Sequence, residues 1–325
     1  MSMNRRQFVQ TVAASLVIPP GLAAENPSVS PMPVRALGRT GITVPIIGFG
    51  SGSRFLMYKD DEKAIEALHR AIDLGITYLD TAHAYGDGKS EERIGQVMAT
   101  RRKQVVLSTK IPARTAEQAR RQIELSLKRL QTDHLDVLHI HDLKGEKDVA
   151  AIEARGGVLE ALYEAREKKI ARAIGITSHA NPAGLRDLLE RHDFDCTQMA
   201  LNAGLARMAD LPGGMKATPS GSESFERLAL PVANRKKMGV IAMKVFGQEQ
   251  LIGAVPVEKL LAYALSLPVS LVSLGMPRLE HIEGNAAFAR TFTPMTEEQR
   301  REISDSIERT KKVSMLNFFQ THQDA

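Results

Sequence analysis

Eight short β-prone runs lie along this chain, with apolar residues recurring at helical spacing between them, and that alternation limits the fold more than any single motif. The predicted strands are Ile46–Gly50, Thr77–Asp80, Gln104–Thr109, Leu135–His141, Ala171–Thr177, Cys196–Gln198, Val240–Lys244 and Ser270–Gly275. Between them, Glu62–Leu74 sets Ile65, Leu68 and Ile72 on one stripe, and Ala116–Leu130 does so with Ile123, Leu127 and Leu130. Leu159–Lys168, Pro182–Glu190, Phe225–Lys237 and Val257–Leu265 repeat the pattern, and Pro182 after Asn181 suits a helix start. Strands that alternate with helices form a parallel sheet. Eight units in this length predict an α/β fold of the closed (β/α)8 TIM barrel kind, with an open doubly wound sheet as the competing arrangement. The segment VRALGRTGITVP, with Gly38 and Gly41 between two β-prone pieces, predicts a hairpin ahead of the barrel. A last helix, Thr296–Lys312, follows the eighth unit. The long connection from Asn202 to about Ser222, rich in Gly, Met and Pro, is of the length expected of a functional or disordered loop.

Composition excludes several classes. At 325 residues and 43% hydrophobic, the chain can bury a large core. A net charge of +5 without a basic block, and no Trp, give no footing for nucleic acid. Cys196 is the sole cysteine, so neither an internal disulfide nor a cysteine-based metal site is possible. Residues 1–24 carry a basic start, a short apolar middle and a small-residue exit, which read as a signal peptide. Arg5-Arg6 followed by Gln7 and Phe8 resembles the twin-arginine export signal of bacteria. The apolar part is too short for a comfortable membrane span, so no stable span is expected in the mature chain. This reading places the protein in the periplasm, with the export machinery as a partner and the cytoplasm as the alternative. Residues 25–33 read as a linker, and the folded domain is expected over residues 34–325.

The predicted strand ends carry the chemistry. Asp80 closes the second strand, Lys110 the third and His141 the fourth, and Tyr85 lies in the loop after the second. In a TIM barrel these ends share one rim, where active sites sit. A free tyrosine ionises near pH 10. A cation about 4 Å away, at an effective dielectric of about 20, contributes roughly 4 kcal/mol, or about three pKa units before the opposing cost of burial. Lys110 is the expected cation, held charged by Asp80. The expected outcome is an acidified Tyr85 able to exchange a proton with a carbonyl or alcohol oxygen that His141 orients. No serine or cysteine nucleophile pair accompanies the set. Such proton machinery requires a hydride carrier, and a nicotinamide cofactor is one. The run Gly48-Phe49-Gly50-Ser51-Gly52-Ser53 approaches a dinucleotide fingerprint, but Ser53 stands where the third glycine belongs. It reads better as a first-strand loop whose backbone, at Gly50 and Ser51, approaches a ligand.

With those residues in view, the chain is similar to the aldo-keto reductases from about Val34 to Asn285. LGRTGITVPIIGFG resembles that family's opening hairpin and first strand, and GITYLDTAHAYGDGKSEERIG its aspartate–tyrosine signature. STK carries the lysine and LHIH the histidine; KKIARAIGITSH, FDCTQMALN and GVIAMKVFG resemble the fifth, sixth and seventh strands. The resemblance implies NADPH-dependent reduction of an aldehyde or ketone, with Tyr85 as general acid, Lys110 and Asp80 as its tuners and His141 as substrate orienter. It implies that Thr177, Ser178 and Gln198 hold the cofactor carboxamide, Ser178 replacing the usual asparagine. Met243 stands where a tyrosine usually stacks on the nicotinamide, a packing role open to a thioether. Lys244 and Arg278 are positioned for phosphates. SLGMPRLEHIEGN, which contains Gly275, His281 and Asn285, resembles the segment that grips the adenosine phosphate. NADPH is preferred over NADH on this reading. Pocket walls are expected from Phe55–Tyr58, Asp142–Asp148, the Asn202–Ser222 connection and the tail after Lys312, giving a partly apolar site for a small carbonyl compound.

Two other readings compete. His139 and His141 form a His-x-His at a strand end, as in metal-dependent barrel hydrolases, with His83, Asp80 and Asp142 nearby in sequence. They form no coherent ligand set, so no metal is expected, and His139 reads as a polar residue of the barrel interior. A non-catalytic nicotinamide-binding regulatory module is the other, since a site can hold a redox cofactor without turnover.

Overall fold

The structure is a computed structural model, and it describes residues 30–211 and 214–321. The expected export signal and most of the expected linker therefore lie outside the described residues. β1 (Val34–Ala36) and β2 (Thr43–Pro45) form the expected antiparallel hairpin, with Arg35 opposite Val44. Its apolar residues Leu37, Ile42 and Val44 cluster with Tyr78, Val137, Ala173, Cys196 and Ile241 from the strands beyond. The Arg39 amide donates to the Lys237 carbonyl, and Arg35 donates to the Val269 carbonyl. Both carbonyls precede barrel strands, so the hairpin plugs the barrel's N-terminal end and leaves the opposite rim open.

The barrel strands are β3 (Ile47–Gly50), β4 (Tyr78–Asp80), β5 (Val106–Ile111), β6 (Leu135–Ile140), β7 (Ala171–Ser178) and β8 (Cys196–Ala200), each pairing parallel with the next. A second hairpin, β9 (Ala206–Leu211) and β10 (Gly214–Pro219), interrupts the series. It occupies the long connection, so that segment is built structure, with Arg207 opposite Thr218. β11 (Gly239–Met243) and β12 (Leu271–Leu274) complete the ring, β11 pairing with β8 and β12 with β3. All eight barrel strands are parallel and the sheet is closed. This is the predicted (β/α)8 barrel, and its sheet has no open edge.

The helices are α1 (Asp61–Asp73), α2 (Lys89–Arg101), α3 (Ala116–Leu130), α4 (Glu146–Glu153), α5 (Val158–Glu167), α6 (Pro182–Arg191), α7 (Phe225–Arg235), α8 (Val257–Ser266), α9 (Leu279–Thr291) and α10 (Glu297–Thr321). Local chemistry fixes their starts: Asp60 accepts from the Glu62 amide, Thr115 from Gln118 and Asn181 from Gly184, ahead of Pro182. Apolar faces of these helices pack on the strands in one continuous core that includes Leu68, Ile94, Ile123, Leu162, Leu188 and Leu260. Among the described residues no helix is long and apolar enough to cross a membrane.

Candidate active site

β4, β5 and β6 deliver the predicted residues to the open rim. Asp80 is the last residue of β4 and pairs in register with Ser108; Lys110, two residues on, shares the face of Ser108 one step higher. That stagger sets the Lys110 ammonium 2.8 Å from the Asp80 carboxylate (Oδ1), where it also donates to the Thr81 carbonyl at 2.7 Å. The other carboxylate oxygen accepts from Gln198 at 2.8 Å and from the Ser273 hydroxyl at 3.0 Å. Both charged groups are buried. Burial alone would raise the Asp80 pKa, but Lys110 and the hydrogen bonds outweigh it and hold the carboxyl below its ordinary value. Burial likewise works against the Lys110 charge, and Asp80 reverses that, keeping the ammonium above its ordinary pKa. Lys110 is therefore a fixed cation at neutral pH.

Tyr85 reaches this pair from a short turn after β4. The chain first runs along β5, with Thr81 donating to the Ser108 carbonyl and His83 to that of Lys110. It then turns through Gly86, Asp87 and Gly88, whose φ angles are 59°, 53° and 101°. Left-handed backbone of this kind favours glycine, and two of the three positions have it. From α3, the Arg129 guanidinium donates to the carbonyls of His83 and Asp87, clamping the turn on both sides of Tyr85. The Tyr85 ring then lies with its centroid 5.1 Å from the Lys110 nitrogen and 5.5 Å from the His141 ring, edge to face.

The phenol departs from expectation in one respect. Lys110 does lower the Tyr85 pKa, by its charge and by a hydrogen-bonding interaction, but burial is the larger effect and Asp80 adds to it, so the net shift is upward. Residue types alone supply the cation and underweight the cost of moving a phenolate out of water. Because the Tyr85 side chain keeps some exposure to the cleft, that cost is smaller than for a phenol sealed in the core. Tyr85 is thus a protonated donor at neutral pH beside a cation able to stabilise the anion it leaves. His141, just beyond β6, has its pKa lowered to about 3, first by burial and then by Lys110, and is an uncharged imidazole. His139 faces the barrel interior as expected. Its ring nitrogens lie 3.4 Å from the Ser108 hydroxyl and 3.5 Å from the Cys196 sulfur. Among the described residues no cluster of three or more His, Cys, Asp or Glu side chains is arranged to hold a metal ion.

Asp80, Tyr85 and His141 form the floor of a cleft of about 710 Å³ along the rim, with Lys110 buried behind them. Of the predicted cofactor residues, Gly50, Gln198, Met243, Lys244, Gly275, His281 and Asn285 line it together with Asp80, Tyr85 and His141. The cleft runs from the Tyr85 turn to α9. At Gly275 a Cβ would lie 2.7 Å from the Arg54 side chain, so only glycine fits where the loops after β12 and β3 approach. Gln198 keeps its side-chain oxygen buried without a partner while its nitrogen is spent on Asp80.

Other predicted positions do different work. Ser51 is fully buried behind the cleft wall, its carbonyl accepting from the Ser90 hydroxyl. Thr177 and Ser178 do not line the cleft. The Thr177 hydroxyl accepts from the Asp142 amide and the Ser178 hydroxyl donates to the Leu143 carbonyl, so both brace the loop after β6. Arg278 also lies off the lining and donates to His281 at 2.9 Å. Phe55 belongs to the core, edge-on to Phe49, so of that segment Leu56 is the residue that lines the cleft. Met215 of β10 brings the second hairpin to the wall. The side chains after Lys312 lie outside the described residues. His179, Arg54 and Glu249 also line the cleft, and no sequence motif singles them out; Arg54 and Glu249 form an ion pair at 2.6 Å.

Comparison with known proteins agrees with this geometry. The profile of the aldo/keto reductase family matches residues 46–255, and the chain belongs to that family. Among curated relatives, it is 36% identical over 162 residues to the aldo-keto reductase YhdN of Bacillus subtilis, covering 45% of this chain and 47% of that one. The matched region spans about half the length of the first such relatives. Among solved structures, the holo form of aldo-keto reductase AKR11C1 from Bacillus halodurans superposes with a TM-score of 0.68 at 22% identity, covering 85% of this chain and 96% of that one. An aldo-keto reductase from Klebsiella pneumoniae in complex with NADPH superposes at 0.65 and 23% identity, covering 85% and 95%. These likenesses establish the shared barrel.

Proposed function

We propose that this protein is an NADPH-dependent oxidoreductase that reduces an aldehyde or ketone to an alcohol, with Tyr85 as general acid. The observation that carries the reading is the Asp80–Lys110 ion pair beneath the Tyr85 ring, with neutral His141 beside it on the floor of one cleft. A nicotinamide cofactor fits the residues present. The unpartnered Gln198 oxygen would accept from a carboxamide, the Met243 thioether would pack on a flat ring, and Lys244 would meet phosphate. When bound, the cofactor supplies the hydride. The substrate's carbonyl oxygen would sit between the Tyr85 hydroxyl and the His141 imidazole, which orients it. Tyr85 gives its proton to that oxygen as negative charge develops there, and Lys110 stabilises the resulting phenolate. Asp80 holds Lys110 in place and charged. Leu56, Val245, Phe246 and Ile252 supply apolar walls, which suits an organic carbonyl compound and helps exclude water.

Lys244 gives the cofactor reading a pH signature. Burial lowers its pKa to about 8, with Asp142 opposing the shift and Arg54 adding to it. Below that pH the amine is cationic and attracts phosphate; above it the attraction is lost. NADPH affinity in a fluorescence titration is expected to weaken as pH rises through about 8, and Lys244→Met is expected to remove that dependence. The same titration with NADH, followed by a panel of aldehydes and ketones, tests the function as a whole. Failure to bind either nucleotide would refute it.

We further propose export to the periplasm by the twin-arginine route, with cofactor bound before transport. The support is the sequence of residues 1–24. Cell fractionation tests it: full-length protein confined to the cytoplasm with Arg5 and Arg6 intact would end this proposal.

A further inference from the structure

We propose that His179 is a substrate-binding residue that selects carbonyl compounds bearing a hydroxyl group close to the carbonyl, an inference that rests on the reductase reading above. His179 lines the same cleft as Tyr85, His141 and Gln198, yet its side chain is only 8% exposed. Its Nδ1 is buried and has no hydrogen-bond partner. A buried polar nitrogen left unpaired is costly and uncommon, and at the wall of a cleft a ligand is the natural partner.

The surrounding backbone makes His179 a fixed feature of the wall. It directly follows β7, whose last two residues are locked to the loop after β6: the Thr177 carbonyl accepts from the Leu143 amide at 2.8 Å, alongside the bonds from the Thr177 and Ser178 hydroxyls. On its other side, the His179 carbonyl accepts from the Met208 amide of β9 at 2.8 Å. The second hairpin is itself pinned by the Asn202 side chain, which bonds both the amide and the carbonyl of Ala206. The loop carrying His141 and the strand end carrying His179 therefore hold the two rings in a set relation. A substrate whose carbonyl oxygen meets Tyr85 and His141 would share the cleft with His179, and on this inference the ring meets its neighbouring carbons.

The chemistry of the ring narrows the ligand. Burial, then the charges of Lys244 and Lys110 and the presence of His141, keep the imidazole uncharged. A neutral imidazole offers one donor and one acceptor, and a hydroxyl group is both. The uncharged ring itself supplies no cation for a carboxylate.

The test compares glyceraldehyde with propanal, which has the same three carbons and no hydroxyls, as substrates with NADPH. The wild-type enzyme is expected to favour glyceraldehyde in kcat/KM. His179→Phe and, in parallel, the less bulky His179→Leu are expected to reduce that preference roughly tenfold, the loss of one hydrogen bond to an uncharged group, mainly through KM. His179→Asn keeps a donor and an acceptor and is expected to retain most of the preference. NADPH titration of each variant verifies that the cleft is intact. NADPH consumption with both aldehydes and an unchanged ratio in the Phe and Leu variants would overturn the role of His179 and leave the reductase reading standing. If the wild-type protein bound NADPH but consumed it with no carbonyl compound, the reductase reading would fall and this inference with it.

Discussion

Replacing Tyr85 with phenylalanine is expected to slow carbonyl reduction by about 10²–10⁴-fold, the usual worth of a positioned general acid. The ring would remain under the clamp of Arg129 and above the Lys110 ammonium, so the cleft keeps its shape and NADPH affinity is expected to stay near that of the wild type. The loss should fall on kcat, because on the proposed mechanism the hydroxyl acts when charge develops on the carbonyl oxygen and adds little to ground-state binding. A wild-type rate in Tyr85→Phe would remove Tyr85 from its role. Since the phenol pKa is raised on balance, the protonated donor persists through neutral pH. His141 ionises only near pH 3, so neither group is expected to produce a rate change between about pH 5 and 8. A change near pH 8 is assigned to Lys244.

The second large effect concerns stability as well as rate. Lys110→Met would leave the Asp80 carboxylate buried with Gln198 and Ser273 and no cation. Removing one partner of a buried pair typically costs about 3–5 kcal/mol, which for a domain this large corresponds to a Tm lower by roughly 5–15 °C. The pH dependence should also reverse. In the wild type the Asp80 pKa is depressed on folding, so its contribution is present above the unfolded carboxyl pKa and is lost as pH falls through the folded one. In Lys110→Met, burial, the largest influence on this carboxyl, is opposed only by the hydrogen bonds from Gln198 and Ser273 and by His139, and it raises that pKa. The variant is then more stable at acid pH and loses that stability as pH rises through the raised value. Thermal melts from pH 4 to pH 8 distinguish the two: a variant as stable as the wild type at neutral pH would show that the pair carries no such energy. Activity is expected to fall with the charge, since Lys110 is the cation beside the Tyr85 phenol.

Much of this arrangement is legible in the residues themselves. Ala116–Leu130 has the bounds that its apolar stripe predicts, and each of the eight expected strands overlaps an observed one. Asp80, Lys110 and His141 can be placed on one rim because strand ends in a closed parallel barrel share a face. The losses have physical causes. α2 follows a glycine-rich left-handed turn and opens with Lys89, Ser90, Glu91 and Glu92, so its local chemistry reads as a loop, although Ile94, Val97 and Met98 are buried at helical spacing. The β9–β10 hairpin is concealed by Gly and Pro in a connection whose pairing is nonlocal information. α4 and α9 have weak amphipathic patterns. Thr177 and Ser178 share the strand end expected to meet the cofactor, but their hydroxyls turn to the neighbouring loop. His179 directly follows them and escapes a reading by residue type, because its significance is an unpaired nitrogen, visible only when its surroundings are known. The upward shift of Tyr85 is hidden for a related reason: charge can be read from residue types, while desolvation depends on packing.

The central claim is that Tyr85, supported by Lys110, donates a proton as a nicotinamide hydride reaches a carbonyl carbon. Incubating the protein with NADPH deuterated at the nicotinamide 4-position and an aldehyde, then analysing the alcohol by mass spectrometry, tests it most directly. The account predicts one deuterium on the former carbonyl carbon, formed rapidly by the wild type and at least a hundredfold more slowly by Tyr85→Phe, in line with the loss of a general acid. Alcohol without the label, or equal rates in the two proteins, would contradict it.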